Sequence, residues 1–202
     1  MAYAITLAGC SGASNEANKR IAGEYDQATG KLKLLKYDSN GNGKVDTWSY
    51  MDGTRILRIE IDQNEDGKID RWEYYDDNRQ LTKIGFSRAN DGKEDAWSYP
   101  AADGKTIVKI ELSTRRDGKV TRIEHYEQEK LVRAEEDTDE DGQIDKWEVY
   151  AGDHLASVAF DTAHHGFADR KLTYGPNGSA KVEVDEKGTG AWSVVPVAAP
   201  RD

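Results

Sequence analysis

Asp62-Gln63-Asn64-Glu65-Asp66-Gly67-Lys68-Ile69-Asp70-Arg71-Trp72-Glu73-Tyr74 decides how the chain is read, because it recurs. Asp38-Ser39-Asn40-Gly41-Asn42-Gly43-Lys44-Val45-Asp46-Thr47-Trp48-Ser49-Tyr50 precedes it, and Asp137-Thr138-Asp139-Glu140-Asp141-Gly142-Gln143-Ile144-Asp145-Lys146-Trp147-Glu148-Val149 comes after it. Weaker copies begin at Ser87, Ser113, Asp161 and Asp185, with start-to-start spacings of 24, 25, 26, 24, 24 and 24 residues. A fixed period of this length marks a repeated supersecondary unit. Seven such units fill residues 21–195 without a domain break.

Outward from each loop the pattern alternates. Counting back five, three and one residues from the loop starts gives sets such as Leu57, Ile59, Ile61 and Val108, Ile110, Leu112, and 18 of the 21 residues so counted are apolar. The residues between them, Arg58, Glu60, Lys109 and Glu111 for example, are mostly charged. Period two excludes helix and predicts strands with one buried face. After each loop a second strand carries Trp48 and Tyr50, Trp72 and Tyr74, Trp97 and Tyr99, Ile123 and His125, or Trp147 and Val149, and these rings are expected in the core. Asp52-Gly53, Asp77-Asn78, Asp103-Gly104 and Asn177-Gly178 close the connection to the next unit. The expectation is an all-β antiparallel meander of about fourteen short strands in seven hairpin units. It forms a twisted or curled single sheet folding over itself, so that the Trp row meets the Leu/Ile/Val rows. A closed barrel of that size would leave a lumen too wide to fill.

Composition narrows the function. A net charge of −10 argues against nucleic acid, whose phosphates need clustered Lys and Arg, and points to divalent cations instead. With one cysteine no internal disulfide exists, and Cys10 must be explained alone. It ends Leu7-Ala8-Gly9-Cys10 after the apolar start Met1–Thr6, and a run of small polar residues, Ser11–Asn18, comes next. This resembles the lipobox of bacterial lipoproteins, in which the signal peptide is cut before the cysteine and the new N-terminus is acylated. The resemblance implies a signal peptide over residues 1–9 with its true start upstream, a lipidated Cys10 on a flexible tether over 10–20, the repeat domain over 21–195 and a tail over 196–202. It also implies anchoring to a lipid bilayer at the cell envelope, with Ser11 favouring the outer membrane. No other segment approaches the roughly 18 apolar residues of a membrane span.

The loop of unit two places Asp62, Asn64, Asp66, Gly67 and Asp70 at positions one, three, five, six and nine. This resembles the calcium loop of EF-hand proteins, where a short segment wraps a hard cation with oxygen ligands around a glycine turn. With strands at its flanks it is closer to the Asp-x-Asp-x-Asp-Gly-x-x-Asp hairpin loops of integrin propellers. The resemblance implies three calcium sites: Asp38, Asn40, Asn42 and Asp46; Asp62, Asn64, Asp66 and Asp70; and Asp137, Asp139, Asp141 and Asp145. The backbone carbonyls of Lys44, Lys68 and Gln143 would add position seven. Loop one, with two carboxylates, is expected to bind most weakly. Glu73 and Glu148 on their strands are expected to face solvent.

The other four loops have lost ligands. Unit three has Ser87, Ala89, Asp91 and Asp95; unit four has Ser113, Arg115, Asp117 and Thr121; unit six has Asp161, Ala163, His165 and Asp169; unit seven has Asp185, Lys187 and Thr189. They read as plain Asp-Gly or Asn-Gly turns. Arg115 would put a cation where a metal belongs, and adjacent His164 and His165 are expected to face opposite sides and not share an ion. With Asp161 and Asp169 nearby, a transition-metal site is the minor alternative in loop six. No nucleophile triad, phosphate loop or His-Glu-x-x-His motif is present. The chain is therefore expected to be a non-catalytic calcium-binding scaffold that meets a protein or polysaccharide on its sheet face. A carbohydrate-binding or adhesin-like module using Tyr75, Tyr126 and Tyr150, a calcium sensor, and a calcium-free interaction repeat are the alternatives. The last rests on the 24-residue hairpin with an aromatic second strand, which resembles the MORN-type repeat.

Overall fold

A computed structural model describes residues 20–196, and Cys10 with its neighbours lies outside that range. The alternating segments are strands: β1 (Ile21–Tyr25), β2 (Leu32–Tyr37), β3 (Thr47–Asp52), β4 (Arg55–Ile61), β5 (Arg71–Tyr75), β6 (Leu81–Phe86), β7 (Ala96–Pro100), β8 (Ile107–Leu112), β9 (Arg122–Glu127), β10 (Lys130–Glu136), β11 (Lys146–Ala151), β12 (His154–Phe160), β13 (Arg170–Tyr174), β14 (Ala180–Val184) and β15 (Ser193–Val194). They form one open antiparallel sheet in sequence order, a 15-stranded meander. The extra strand over the expected number is β1, which pairs with β2 ahead of the first loop. A 3₁₀ turn, Pro176–Gly178, links β13 to β14. No helix among the described residues is long and apolar enough to cross a membrane.

Substantial strand contacts join consecutive strands only. The apolar rows therefore meet their neighbours side by side along the sheet. All seven acidic loops lie along one edge of the sheet, because each joins the first strand of a unit to its second. The tight turns line the other edge.

Register corrects the expectation of one apolar face. Tyr37 stands opposite Thr47 and Lys36 opposite Trp48. On the other side Trp48 faces Glu60 and Ser49 faces Ile59. Residues opposite one another in an antiparallel pair project to the same face. Trp48 thus shares a face with Lys36 and Glu60, while Leu35 and Ile59 share the other with Ser49. The same parity puts Gly85 between Trp72 and Trp97, and sets Glu135 and Ala159 beside Trp147. The cause is the loop itself. Nine residues separate the last residue of the first strand from its partner, so the ring at position eleven aligns with the residue two places before the loop, which is Lys36, Glu60 and Glu135 in units one, two and five and Gly85 in unit three.

Each face is consequently striped, an apolar strand beside a polar or charged one. Among the described residues the buried apolar set is only Trp72, Ile84, Ala96, Trp97, Ala134 and Val158, and buried polar residues outnumber it. On the ring face, cationic stems cover what a second layer would have covered. Arg58 lies 4.2 Å from the Tyr50 ring centroid, Lys83 4.2 Å from Tyr74 and Lys109 3.9 Å from Tyr99. On the opposite face, Glu148 is buried and Glu73 half-buried, contrary to the expected free projection into solvent. Position twelve is paired with the apolar positions, Glu73 with Ile59 and Ile84, Glu148 with Ala134 and Val158. Both acids are held there by cations of the same face, Glu73 by Arg71 at 2.9 Å and Glu148 by Arg122 at 2.7 Å and Lys146 at 2.8 Å.

Candidate metal centre

The sheet's hydrogen bonding runs one rung into the loop edge. The position-one N–H of each unit donates to the position-nine carbonyl of the unit before it: Asp62 to Asp46 at 2.9 Å, Ser87 to Asp70 at 2.9 Å, Asp137 to Thr121 at 2.8 Å, Asp161 to Asp145 at 2.9 Å. The position-nine N–H in turn donates to the strand end, as Asp70 does to Ile61 at 2.9 Å. These bonds pull positions one and nine into the sheet and bury them. Asp38, Asp46, Asp62, Asp70, Asp95, Asp137, Asp145, Asp161, Asp169 and Asp185 are all buried. Carboxylates removed from water need partners.

Backbone N–H groups supply some of them. The Asp62 carboxylate accepts from Asp66 at 3.2 Å and Gly67 at 2.8 Å, and the Asp137 carboxylate from Glu140 at 2.6 Å and Gly142 at 2.9 Å. Position nine accepts from position two: Ser39 N–H to Asp46 at 2.9 Å, Gln63 N–H to Asp70 at 2.8 Å, Thr138 N–H to Asp145 at 3.1 Å. Burial opposes ionisation of Asp46, yet the hydroxyls of Ser39 and Thr47 outweigh it and hold its carboxyl below the usual range. Positions three and five each accept from the N–H two residues on. Asn64 Oδ1 takes Asp66 N–H at 2.9 Å and Asp66 Oδ1 takes Lys68 N–H at 2.9 Å, as Asp141 Oδ1 takes Gln143 N–H at 2.8 Å. The glycine at position six turns the chain with φ of 88° at Gly67 and 93° at Gly142, where a Cβ would be strained. The loop's backbone is therefore preset by its own side-chain oxygens, with the position-seven residues, Lys44, Lys68 and Gln143, fixed through their N–H groups.

The three loops differ in how far their donors converge. In loop five Asp137, Asp139 and Asp145 each offer an oxygen within 4.8 Å of the others, close enough to hold one metal ion. Asp141 joins Asp139 in a second group instead, completed by His164 of the next unit. In loop two the carboxylates of Asp62, Asp66 and Asp70 are not drawn together to that distance, but Asp70 Oδ1 is buried without any hydrogen-bond donor. An orphaned buried carboxylate oxygen is the vertex a cation fills. In loop one the amides of Asn40 and Asn42 both donate to Glu65, Asn42 at 2.6 Å. The next unit thus brings a third carboxylate to a loop with two of its own.

Glu65, Glu140, His164 and Arg116 hold the same place, position four, and each has positive φ, 58°, 65°, 54° and 61°. That backbone turns the side chain back onto the preceding loop. Arg116 reaches loop three, 2.7 Å from Asp91 and 2.7 Å from the fully buried Asp95. Burial of Asp95 disfavours its charge, but the Arg88 N–H and the Arg116 guanidinium lower its pKa overall. Loop three therefore carries its own cation. Arg115 of loop four does not enter its loop as expected; it is exposed and pairs at 2.5 Å with Glu140 of loop five. In loop six Asp161, His165 and Asp169 form a third metal-competent group, although that loop reads as a plain turn. His164 and His165 serve different groups, in loop residues rather than on a strand.

The tyrosines proposed as a carbohydrate platform are half-buried, and each donates to the glutamate two residues before it: Tyr75 to Glu73 at 2.7 Å, Tyr126 to Glu124 at 2.7 Å, Tyr150 to Glu148 at 2.9 Å. Burial, then the Glu124 bond, pushes Tyr126 up to about 12. No family model matches the chain, and no curated protein is significantly similar to it.

Proposed function

We propose that the chain is a calcium-binding, non-catalytic repeat scaffold, held at the bacterial cell envelope by lipid on Cys10, whose long edge of loops is set by bound calcium. The observation that carries the metal half is the row of buried position-one and position-nine aspartates, with Asp70 Oδ1 orphaned and Asp137, Asp139 and Asp145 converged. Calcium is favoured because the donors of loops one, two and five are all oxygen, uneven in number and geometry, which suits a large hard cation with a flexible shell. Bound there, it would neutralise carboxylates that the sheet has already withdrawn from water. Asp38, Asn40, Asn42 and Asp46 with Glu65, then Asp62, Asn64, Asp66 and Asp70, then Asp137, Asp139, Asp141 and Asp145 are the side chains that would hold it. The lipid half rests on Leu7-Ala8-Gly9-Cys10 alone. Tied, half-buried tyrosines lend no support to a stacking platform for sugars.

Thermal unfolding in about 1 mM calcium against chelator tests the metal. Sites of the extracellular kind bind at about 10⁻⁴ to 10⁻³ M, so each occupied site adds about 0.4 to 1.4 kcal/mol by mass action. Asp141→Ala should remove more of the calcium-induced rise in Tm than Asn42→Ala. Identical melting in calcium and chelator would refute the proposal. Metabolic labelling with a lipid precursor tests the anchor separately, and a Cys10→Ala chain should stay unlabelled.

A further inference from the structure

Loop six is the one loop of the array in which a nitrogen donor replaces oxygen at position five. Asp161 and Asp169 are buried, at 5% and 2% exposure, and His165 stands between them, Nδ1 at 3.1 Å from Asp161 Oδ1 and Nε2 at 3.9 Å from Asp169 Oδ2. Ligand atoms of all three fall within 4.8 Å of one another. The ring is oriented from outside this trio. Phe167 stacks on His165 with centroids 4.2 Å apart and planes at 7°. Phe167 in turn lies over Gly188 of unit seven, where a Cβ would come within 2.7 Å of its ring, and Gly188 takes φ +62°. Unit seven therefore leaves room for Phe167, Phe167 fixes His165, and His165 faces two carboxylates that the sheet has buried. At position three Ala163 offers no oxygen, so the loop is poorer than its siblings in the ligands a calcium shell requires.

We infer that loop six is a transition-metal site, in which Asp161, His165 and Asp169 bind a divalent ion of the zinc class. One imidazole and two carboxylates are a donor set that suits zinc or cobalt, with solvent completing four-coordination. Loop three shows the need of such a loop for a cation. There Asp95, at the position of Asp169, is fully buried and is matched by the Arg116 guanidinium at 2.7 Å. Position four of unit seven is Gly188, so no arm reaches loop six from the next unit. The nearest cation is Arg170, beside Asp169 on the strand, whose guanidinium lies 3.5 Å from Asp169 Oδ1 and leaves the Asp161 side to His165 alone. The inference does not depend on calcium in loops one, two and five.

The test titrates the metal-free full chain with cobalt, followed by its visible absorption, and with zinc by calorimetry, both with calcium held at a few millimolar. Wild type should take up cobalt with the spectrum of a mixed nitrogen and oxygen site. His165→Ala and His165→Gln should weaken cobalt and zinc by more than about tenfold, the scale on which even outer ligands act, while His154→Ala, an exposed histidine at the start of β12, keeps them. Near-ultraviolet circular dichroism of the tryptophans verifies that each variant is folded. No uptake by the wild type, or uptake unchanged in both folded His165 variants, would overturn the inference. Failure of calcium with retention of cobalt would sink the calcium proposal and leave this one standing.

Discussion

Glu148 shows what single residues must do in a sheet without a second layer. Its burial opposes charge, but hydrogen bonds from Lys146, Arg122 and Tyr150 prevail and hold its carboxyl at about 2, down from 4.5. Between those values the unfolded chain binds a proton that the folded chain does not. The stabilisation is therefore complete above about pH 4.5 and is lost as pH falls toward 2. Glu148→Gln should cost about 1 to 3 kcal/mol at neutral pH, since it leaves Arg122 and Lys146 half-buried and partly unpaired, and should flatten the acid limb of a stability-against-pH curve. A curve unchanged below pH 4.5 would show the cluster to be idle. The oxygen donors at positions one, three, five and nine are legible in the sequence because loops one, two and five repeat them. The role of position four is not, since Glu65, Arg116, Glu140 and His164 share no chemistry and their targets lie some 25 residues earlier. Stacking the units is what makes these residues neighbours. In loop six the spacing makes Asp161, His165 and Asp169 legible as a minor metal alternative, and the folded loop is what sets His165 between the two aspartates.

At the scale of the strand, period-two patterning correctly predicts extended segments and loop edges, because alternation and the Asp-Gly turns are local properties. It fails on which strands share a face. That depends on the parity of the loop, which pairs Trp48 with Lys36 rather than with Leu35. With apolar residues split between faces, the most buried rings are Trp72 and Trp97, which flank Gly85, a residue with no side chain whose place the Glu94 side chain takes. Trp72→Ala should cost about 3 kcal/mol, as large buried rings do. Trp147→Ala, half-buried and between Glu135 and Ala159, should cost clearly less. Urea unfolding reads the difference as a shift in midpoint at constant slope. Equal losses would contradict the ranking by burial.

For the molecule as a whole, contacts between consecutive strands make stability a sum over units and their junctions, as in other linear repeats. Removing residues 161–184, one 24-residue unit, would join Phe160 to Asp185 and let the Asp185 N–H meet the Asp145 carbonyl that Asp161 now uses. That shortened chain should fold with undiminished β-signal per residue in the far ultraviolet. Removing about half a unit should not, since it reverses strand direction and puts a tight turn on the loop edge. The sequence order of the strands also governs how the protein bears load. Tension on its two ends acts across the strands and strains the rungs of one terminal pair at a time, never the whole ladder in shear. The protein would peel like a zipper, each unit releasing about 75 Å of slack, and on relaxation would re-form from whichever strand remains in place, a compliant cord rather than a rigid strut.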